Sequence, residues 1–459
     1  METHPPIHSA QEADFNINEL FFSITRHDSS IVSGNEVFVR ISGYSKEELI
    51  GHYHNIIRHP DMPKSLFKTF WDYLKSDKAV VAYVKNKTKD GKYYWVLAAV
   101  FPLKERYVSL RIKPTSSLFA VARELYFKTL MCESREGIEA AEIFLSASLN
   151  DLGYPSYDAF MSDALLQELR SRQNLMMETL HKHQKFIVET QLDEMLERAY
   201  DHANNLKKIY GIWFEKIPLF SDINTMLNDK GQLLRELARD MIFLSLNASV
   251  SSYKVANGGE TFGVLAQDIR LNVKENDTLV DELHTISTDL SKSLNNIIFS
   301  ASAIHLQIEM ICYFIEEILL RKVNDTIDTG NNIDLLATLV DEYVCKIDKA
   351  HKILASQISD AIKNLNRIER QVMYLGYVQI YGIIEAAASL DPSVDFEGIF
   401  TQLKILIKKT SEEVESIQKR MENFASENQA LLQKSAETAL VLKTFKREVI
   451  EISDLERCV

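Results

Sequence analysis

Proline and glycine are scarce in this chain. Nine prolines and 15 glycines in 459 residues are too few breakers for a loop-rich fold and point to long helices. Cysteine is scarcer still. The four (Cys132, Cys312, Cys345 and Cys458) lie far apart and form no CxxC, which leaves no support for a disulfide framework or metal-ligand spacing. They read as buried or incidental thiols of a reducing compartment. Basic charge is in deficit, with 52 Lys and Arg against 65 Asp and Glu, interleaved along most of the chain. No concentrated basic face is available for nucleic acid, and the net charge of −13 mostly implies solubility. Long uncharged runs are also missing. The opening METHPPIHSAQEADF lacks the apolar segment of a signal peptide. The most apolar later run, Leu306 to Leu320, carries Glu309, Glu316 and Glu317 and is too short to span a bilayer. The expectation is a cytoplasmic protein with no membrane span. Nor is there a P-loop, a kinase or cyclase signature, a nucleophile motif or a pair of carboxylates in a Gly-framed loop, so an enzyme is not expected.

What is present begins with His54-Asn55-Ile56-Ile57-Arg58-His59-Pro60-Asp61-Met62-Pro63. Its two prolines fix φ and remove two donors, so it reads as a rigid turn that aims Arg58, His59 and Asp61. Taken alone it is a solvated surface turn. Around it, LFFSITR (20–26) and IVSGNEVF precede a short helix with a capping-box signature, YSKEELIG. A helix containing Phe67 and Trp71 follows the turn. VVAYVKNKTK (80–89) and KYYWVLAAVF (92–101) are strand-like, and Asp90-Gly91 between them is a strong hairpin signal. YVSLRIK (107–113) is a further strand. The order β-β-α-α-β-β-β predicts a small antiparallel sheet with helices on one face, an arrangement that encloses a cavity.

GNEVFVRISGYSKEELIG, HNIIRHPDMP, FxxxW, VKNKTKDGKYYWV and YVSLRIK, in this order, resemble the PAS domain of Aer-type aerotaxis receptors over roughly residues 20–113. That resemblance implies FAD held non-covalently, with its redox state as the signal. The positions matching the family's flavin-binding residues are Asn35, Arg58, His59, Asp61, Phe67, Trp71 and Asn86. Their chemistry agrees. A pyrophosphate needs cationic donors, which suits Arg58 and, as a second donor, His59. An isoalloxazine ring needs amide groups at its polar edge and apolar walls, which suits Asn35 and Asn86 for the first and Phe67 and Trp71 for the second. Asp61 would orient Arg58 or cap the next helix. Taken singly, Phe67 and Trp71 also read as ordinary core packing at i, i+4. A haem pocket using His54 or His59 is the weaker alternative. This chain departs from the family at Val80 and Ala82, where Trp and Gly are usual, which calls one aromatic wall into question. Its hairpin between Pro102 and Tyr107 is also shorter.

Residues 114–200 read as a helical connector, either a relay or an inert spacer. In the last part, two helices keep strict heptad spacing: Ile347, His351, Leu354, Ile358, Ala361, Leu365, Ile368, Val372, Leu375, and Phe396, Phe400, Leu403, Ile407, Thr410, Val414, Ile417, Met421, Phe424, Asn428, Leu431. Such a pattern means helices packed side by side at a shallow angle. His351 reads as a core-edge residue rather than a ligand. LSLNASVSSYKVANGGETFGVLAQDIR (244–270) resembles the hairpin tip of methyl-accepting chemotaxis proteins. A weaker copy lies 134 residues on, where Ile384-Glu385-Ala386-Ala387 aligns with Val250–Tyr253 and Phe396 with Phe262. A duplicated hairpin, with tips near 247–262 and 382–396, would build a four-helix bundle as an intramolecular pseudo-dimer from helices near 219–256, 262–320, 333–389 and 395–450. The resemblance implies contact with the chemotaxis kinase CheA or its coupling protein, or with another receptor. Family contact residues are replaced, however, by Ser251, Lys254 and Asn257, and in the second copy by Ala388 and Asp391.

The expected fold is thus a disordered segment (1–14), an α+β PAS domain (15–113), the connector and a long all-α antiparallel bundle (201–455). The expected function is bacterial redox or oxygen sensing of the chemotaxis or aerotaxis type. The alternative is a PAS adaptor or scaffold, its pocket empty or differently liganded, that binds a receptor or kinase.

Overall fold

The computed structural model describes residues 11–177, 186, 188–253, 259–320, 329–388 and 395–458. Residues 1–10, Lys254, Asn257 and Asp391 lie outside the described residues. The chain divides into two compact units. One comprises Met1–Phe214, Ile298–Ile347 and Ala436–Val459, the other Glu215–Ile297 and Asp348–Ser435.

The first unit begins with β1 (Phe21–Arg26), β2 (Ile31–Gly34), α1 (Glu36–Ser42), α2 (Lys46–Leu49) and a 3-10 turn at His54–Ile57. These are followed by α3 (Lys64–Lys75), β3 (Val80–Lys87), β4 (Tyr93–Leu103) and β5 (Arg106–Ile112). All strand pairs are antiparallel, in the order β2-β1-β5-β4-β3. Local chemistry sets the boundaries. Gly43 ends α1 at φ 72°, where a side chain would be strained. Ser45 and Glu48 close a capping box on α2. Gly91, at φ +87°, turns the β3–β4 hairpin.

An antiparallel sheet with one wet face alternates apolar and polar residues. β4 (YYWVLAAVFPL) does not, because both of its faces are covered. Inward, Phe21, Val84, Val96 and Ala98 form a core against which Phe67 and Phe70 of α3 pack. On the other face lie the connector helices α4 (Ser117–Glu136) and α6 (Tyr157–Met177) and parts of the long helices, while α5 (Ile138–Asp151) packs on α3 and α4. Tyr83 and Trp95 each pack on Phe119 of α4 with centroids 5.4 Å apart.

Two carboxylates fasten this connector. The N-terminus of α3 has no cap from Pro63. Instead Lys64 and Ser65 donate their backbone N–H groups to Glu133 of α4, at 3.0 and 2.8 Å. Glu168 of α6, fully buried, accepts from the N–H of Ser116 (2.9 Å) just before α4 and from the Tyr83 hydroxyl (2.9 Å). Each anion satisfies orphan donors at a helix start, where the helix dipole also favours it.

A long all-α bundle follows: α7 (Gln191–Ser252), α8 (Gly259–Leu319), α9 (Thr329–Ala388) and α10 (Phe396–Cys458). Helix α7 begins well before the residue near 219 that the sequence suggested, and it passes through Pro218. Leu206, Tyr210, Trp213, Ile217 and Phe220 are all buried at three-four spacing, and that packing outweighs the proline's lost hydrogen bond. A window of α8 is apolar enough by length and composition to cross a membrane, and 83% of it is buried inside the fold.

In the second unit the heptad positions are buried as expected, Ile407 partly. His351 is fully buried rather than at a core edge. Its Nδ1 meets the Asn428 amide, and Asn428 Nδ2 donates to the His351 carbonyl at 3.2 Å. The two hairpins keep a common burial phase. Met241, Leu244, Ser245 and Ala248 are buried, and so are Leu375, Val378, Gln379 and Gly382, 134 residues on. Phe262 and Phe396, related by the same offset, stack at 3.8 Å between centroids with planes 6° apart.

A Cβ on Gly382 would come within 2.2 Å of the Phe400 ring, while nothing lies within 4 Å of the same point on Gly376. Gly382→Ala is therefore expected to destabilise the bundle by about 1–3 kcal/mol through overpacking. Gly376→Ala should stabilise it by about 0.5–1 kcal/mol as a helix-interior glycine is removed. Thermal unfolding of the two single variants checks both signs.

Candidate functional site

Helix α3 presents Phe67, Phe70, Trp71 and Leu74 at the spacing of one helix face. The inner sheet face opposite presents Val84 and Asn86 from β3, Ala98 and Val100 from β4, Tyr107, Ser109 and Arg111 from β5, and Thr25 from β1. Period-two alternation puts each of these sets on one side of its strand. Between helix and sheet lies a cavity of about 450 Å³, within the usual size range of ligand pockets. The loop His27–Ser29 and the residues His54, Asn55 and Arg58 complete its wall.

The HNIIRHPDMP turn is zipped to β3. Arg58 and Asn86 form an antiparallel bridge, and His59 donates its backbone N–H to the Lys85 carbonyl at 3.3 Å. Of the seven residues singled out from the sequence, Arg58, Phe67, Trp71 and Asn86 line the cavity. The Arg58 guanidinium lies over the Phe67 ring, 3.9 Å from its centroid, and donates to the Met62 carbonyl at 3.3 Å. The other three stand outside the lining. His59 is buried, and its Nδ1 accepts the Asp61 backbone N–H at 3.1 Å. Asp61 neither orients Arg58 nor caps α3. It pairs with Lys85 at 2.6 Å, because the turn lies along β3 and Glu133 already serves the helix start. Asn35 is fully buried beside β1.

Sequence reasoning passed over Arg111. It is 3% exposed, and no carboxylate among the described residues pairs with it. Its Nη2 donates to Ser23 Oγ at 2.8 Å and meets His54 Nε2, while Nη1 has no protein partner. Burial pulls its pKa down to about 10, which leaves it charged at neutral pH. Ser109 Oγ is also buried without a partner among the described residues, and Asn86 Nδ2 makes no well-formed bond, with only the Tyr94 hydroxyl beside it. Three orphan donors on one wall of a cavity are a costly arrangement unless a ligand's acceptors meet them. Arg111 was legible in principle, as the charged residue at an inward position of the alternating strand YVSLRIK. The residues at 80 and 82, where the chain departs from its resemblance, do not line the cavity. An aromatic wall is supplied instead by Trp71 and Tyr107, whose centroids are 6.0 Å apart.

Burial and the neighbouring Arg111 charge push the His54 pKa from 6.5 down to about 3. Between these values the unfolded chain binds the extra proton, so stability rises with pH across that window and is lost as pH falls. The melting temperature should drop between pH 6.5 and pH 5, and His54→Gln should lessen the drop. Equal slopes in the two proteins would mean that His54 is protonated in the fold.

A family profile for the PAS fold matches residues 31–111. The aerotaxis receptor of Escherichia coli (strain K12) is 36% identical over 131 residues, which is 28% of this chain and 26% of the receptor. Phototropin-2 of Oryza sativa subsp. japonica is 28% identical over 81 residues, 18% of this chain and 9% of that protein. The chain thus spans about a quarter and about a tenth of these relatives' lengths. Among solved structures, the light state of the Aureochrome1 LOV photoreceptor matches at 22% identity and a TM-score of 0.21, over 22% of this chain and 88% of that one. The LOV domain of the Erythrobacter litoralis EL346 blue-light activated histidine kinase matches at 18% identity and a TM-score of 0.19, over 20% of this chain and 92% of that one. The chain carries an N-terminal PAS-fold domain related to that of the aerotaxis receptor.

Proposed function

We propose that this chain is a cytoplasmic, non-enzymatic redox or oxygen sensor, with FAD bound non-covalently in the PAS cavity and controlling the helices that follow. The observation that carries this reading is the buried Arg111 guanidinium, which has no carboxylate partner among the described residues and shares the cavity wall with the orphan donors of Asn86 and Ser109. Arg111, Asn86 and Ser109 hold the acceptor-rich edge of a flavin ring. Phe67, Trp71, Val84 and Val100 contact its faces, and Arg58 takes a phosphate. His59 and Asp61 act one step back, by fixing the turn that carries Arg58. When bound, FAD supplies a redox couple whose charge and hydrogen bonding differ between its states. A fixed cation at Arg111 favours the more negative of them. Haem fits less well, because His54 Nε2 is engaged by Arg111 and His59 lies outside the lining.

For the output, we read the second unit as a chemotaxis-type hairpin present twice, an internal pseudo-dimer that docks a protein such as a kinase or coupling protein. Its support is the common burial phase and a matching set of exposed apolar residues. Phe243, Leu246, Val250 and Leu271 recur as Tyr377, Ile380, Ile384 and Ile405, all at least 40% exposed.

Purified protein is expected to show flavin absorbance that bleaches with dithionite. Arg111→Gln, which removes a charged hydrogen-bond donor, should weaken binding of added FAD by about 10–100-fold. Absence of flavin from the purified protein, with no binding of added FAD, would end the flavin reading.

A further inference from the structure

Asn35 occupies the N-cap position of α1, where asparagine usually bonds to the helix start, but its side chain makes no such bond. The amide turns towards β1 instead. Its Oδ1 accepts the Phe22 backbone N–H at 3.0 Å, while the Asn35 backbone N–H donates to the Phe22 carbonyl at 3.3 Å. The side chain thus extends the β1–β2 ladder by one rung. Its two amide hydrogens go to the Leu20 carbonyl (2.8 Å) and to Oε2 of Glu317 on α8 (3.3 Å). An asparagine has two amide hydrogens, so no donor is left for a ligand.

Glu317 belongs to a face of α8 turned to this domain. Glu309, Tyr313 and Glu317 recur at i, i+4 and i+8, which brings them onto one side of the helix. Tyr313 packs against the core cluster containing Phe15, Phe21 and Val37. Beside it, Phe314 meets Phe22 edge-on at 4.8 Å. Glu309 lies 3.5 Å from Arg172 of α6, which donates to the Asn18 carbonyl at 3.2 Å. On the cavity side, Arg111 donates to Ser23, the neighbour of Phe22 and the register partner of Gly34.

We propose that Asn35 is a positioning residue that does not touch the ligand and instead registers strand β1 against helix α8 through Glu317, linking the Arg111 wall of the cavity to the helical part of the chain. The link to a bound ligand rests on the flavin reading above; the Asn35–Glu317 register does not.

Hydrogen–deuterium exchange of the full-length protein, with binding of added FAD measured alongside, tests both parts. Asn35→Asp removes both amide donors and sets a second carboxylate against Glu317. Exchange in residues 21–24 and 310–319 should quicken by about tenfold, as local opening becomes easier. Glu317→Gln keeps an acceptor and should stay within about twofold of the parent. In the double variant the amide introduced at position 317 can donate to the carboxylate introduced at position 35, so the bond is remade with donor and acceptor exchanged. Exchange should slow again by about threefold relative to Asn35→Asp, short of the parent because the Leu20 carbonyl stays without its donor, a coupling that the cycle isolates. FAD affinity should stay within about threefold throughout. A double variant exchanging as fast as Asn35→Asp overturns the link. A loss of FAD affinity in Asn35→Asp with unchanged exchange makes Asn35 a ligand contact and also overturns it. Should Asn35→Asp fail to fold, Glu317→Ala decides from the helix side: faster exchange in β1 supports the link, and a change confined to α8 refutes it. If no variant and not the parent binds FAD, the flavin reading fails while the exchange results still decide the register.

Discussion

A guanidinium that stays charged at neutral pH is held inside the sheet by a serine hydroxyl and a neutral imidazole, with no carboxylate among the described residues. Taking such an ion out of water is costly, and a fold tolerates it only when the surroundings are fixed around it. Much of the domain serves that end. His54 stays deprotonated and its ring lies parallel to Phe38, 6.1 Å away. The Arg111 guanidinium carbon also lies over Phe38, 5.2 Å from the ring centroid. Gly34 leaves the space that Phe38 needs, since a Cβ there would come within 2.5 Å of that ring. Arg111, His54, Phe38 and Gly34 are therefore set by one another, and a change at any of them is felt at the cavity wall.

The sheet separates two environments. Its inner face meets α3 across the cavity, and its outer face is packed by the connector and by α8 and α9, as at Phe101 and Tyr343, whose centroids are 5.2 Å apart. Interiors are close-packed and transmit displacement rather than absorb it. The carboxylates of Glu133 and Glu168 add polar ties between helices that the apolar contacts alone would leave free to slide. Glu133 of the connector thereby caps the helix that lines the cavity.

Local patterns in the sequence carried most of the fold. The capping box at Ser45, the turn at Gly91 and the heptads of α9 and α10 each depend on residues close in the chain, and each forms where its pattern lies. The cavity was legible in part. Arg58, Phe67, Trp71 and Asn86 sit in motifs that announce a turn, a helix face and a strand. The alternation of YVSLRIK could have placed Arg111 inward, but its contact with His54, 57 residues away in sequence, is encoded in no local pattern. Asp61 was assigned by nearness to Arg58 and to the next helix, yet Lys85 on a distant strand holds it. The early start of α7 was hidden by Pro218, whose penalty is offset by packing invisible in the chain itself.

The stacked rings of Phe262 and Phe396 join two hairpins that belong to a single polypeptide. A contact of this kind between separate subunits would loosen on dilution. Here the second hairpin is presented at an effective concentration set by the connecting chain, so the packing is insensitive to how many copies a cell makes. A substitution in one hairpin is likewise not repeated in the other, so Phe262 and Phe396 can be changed one at a time.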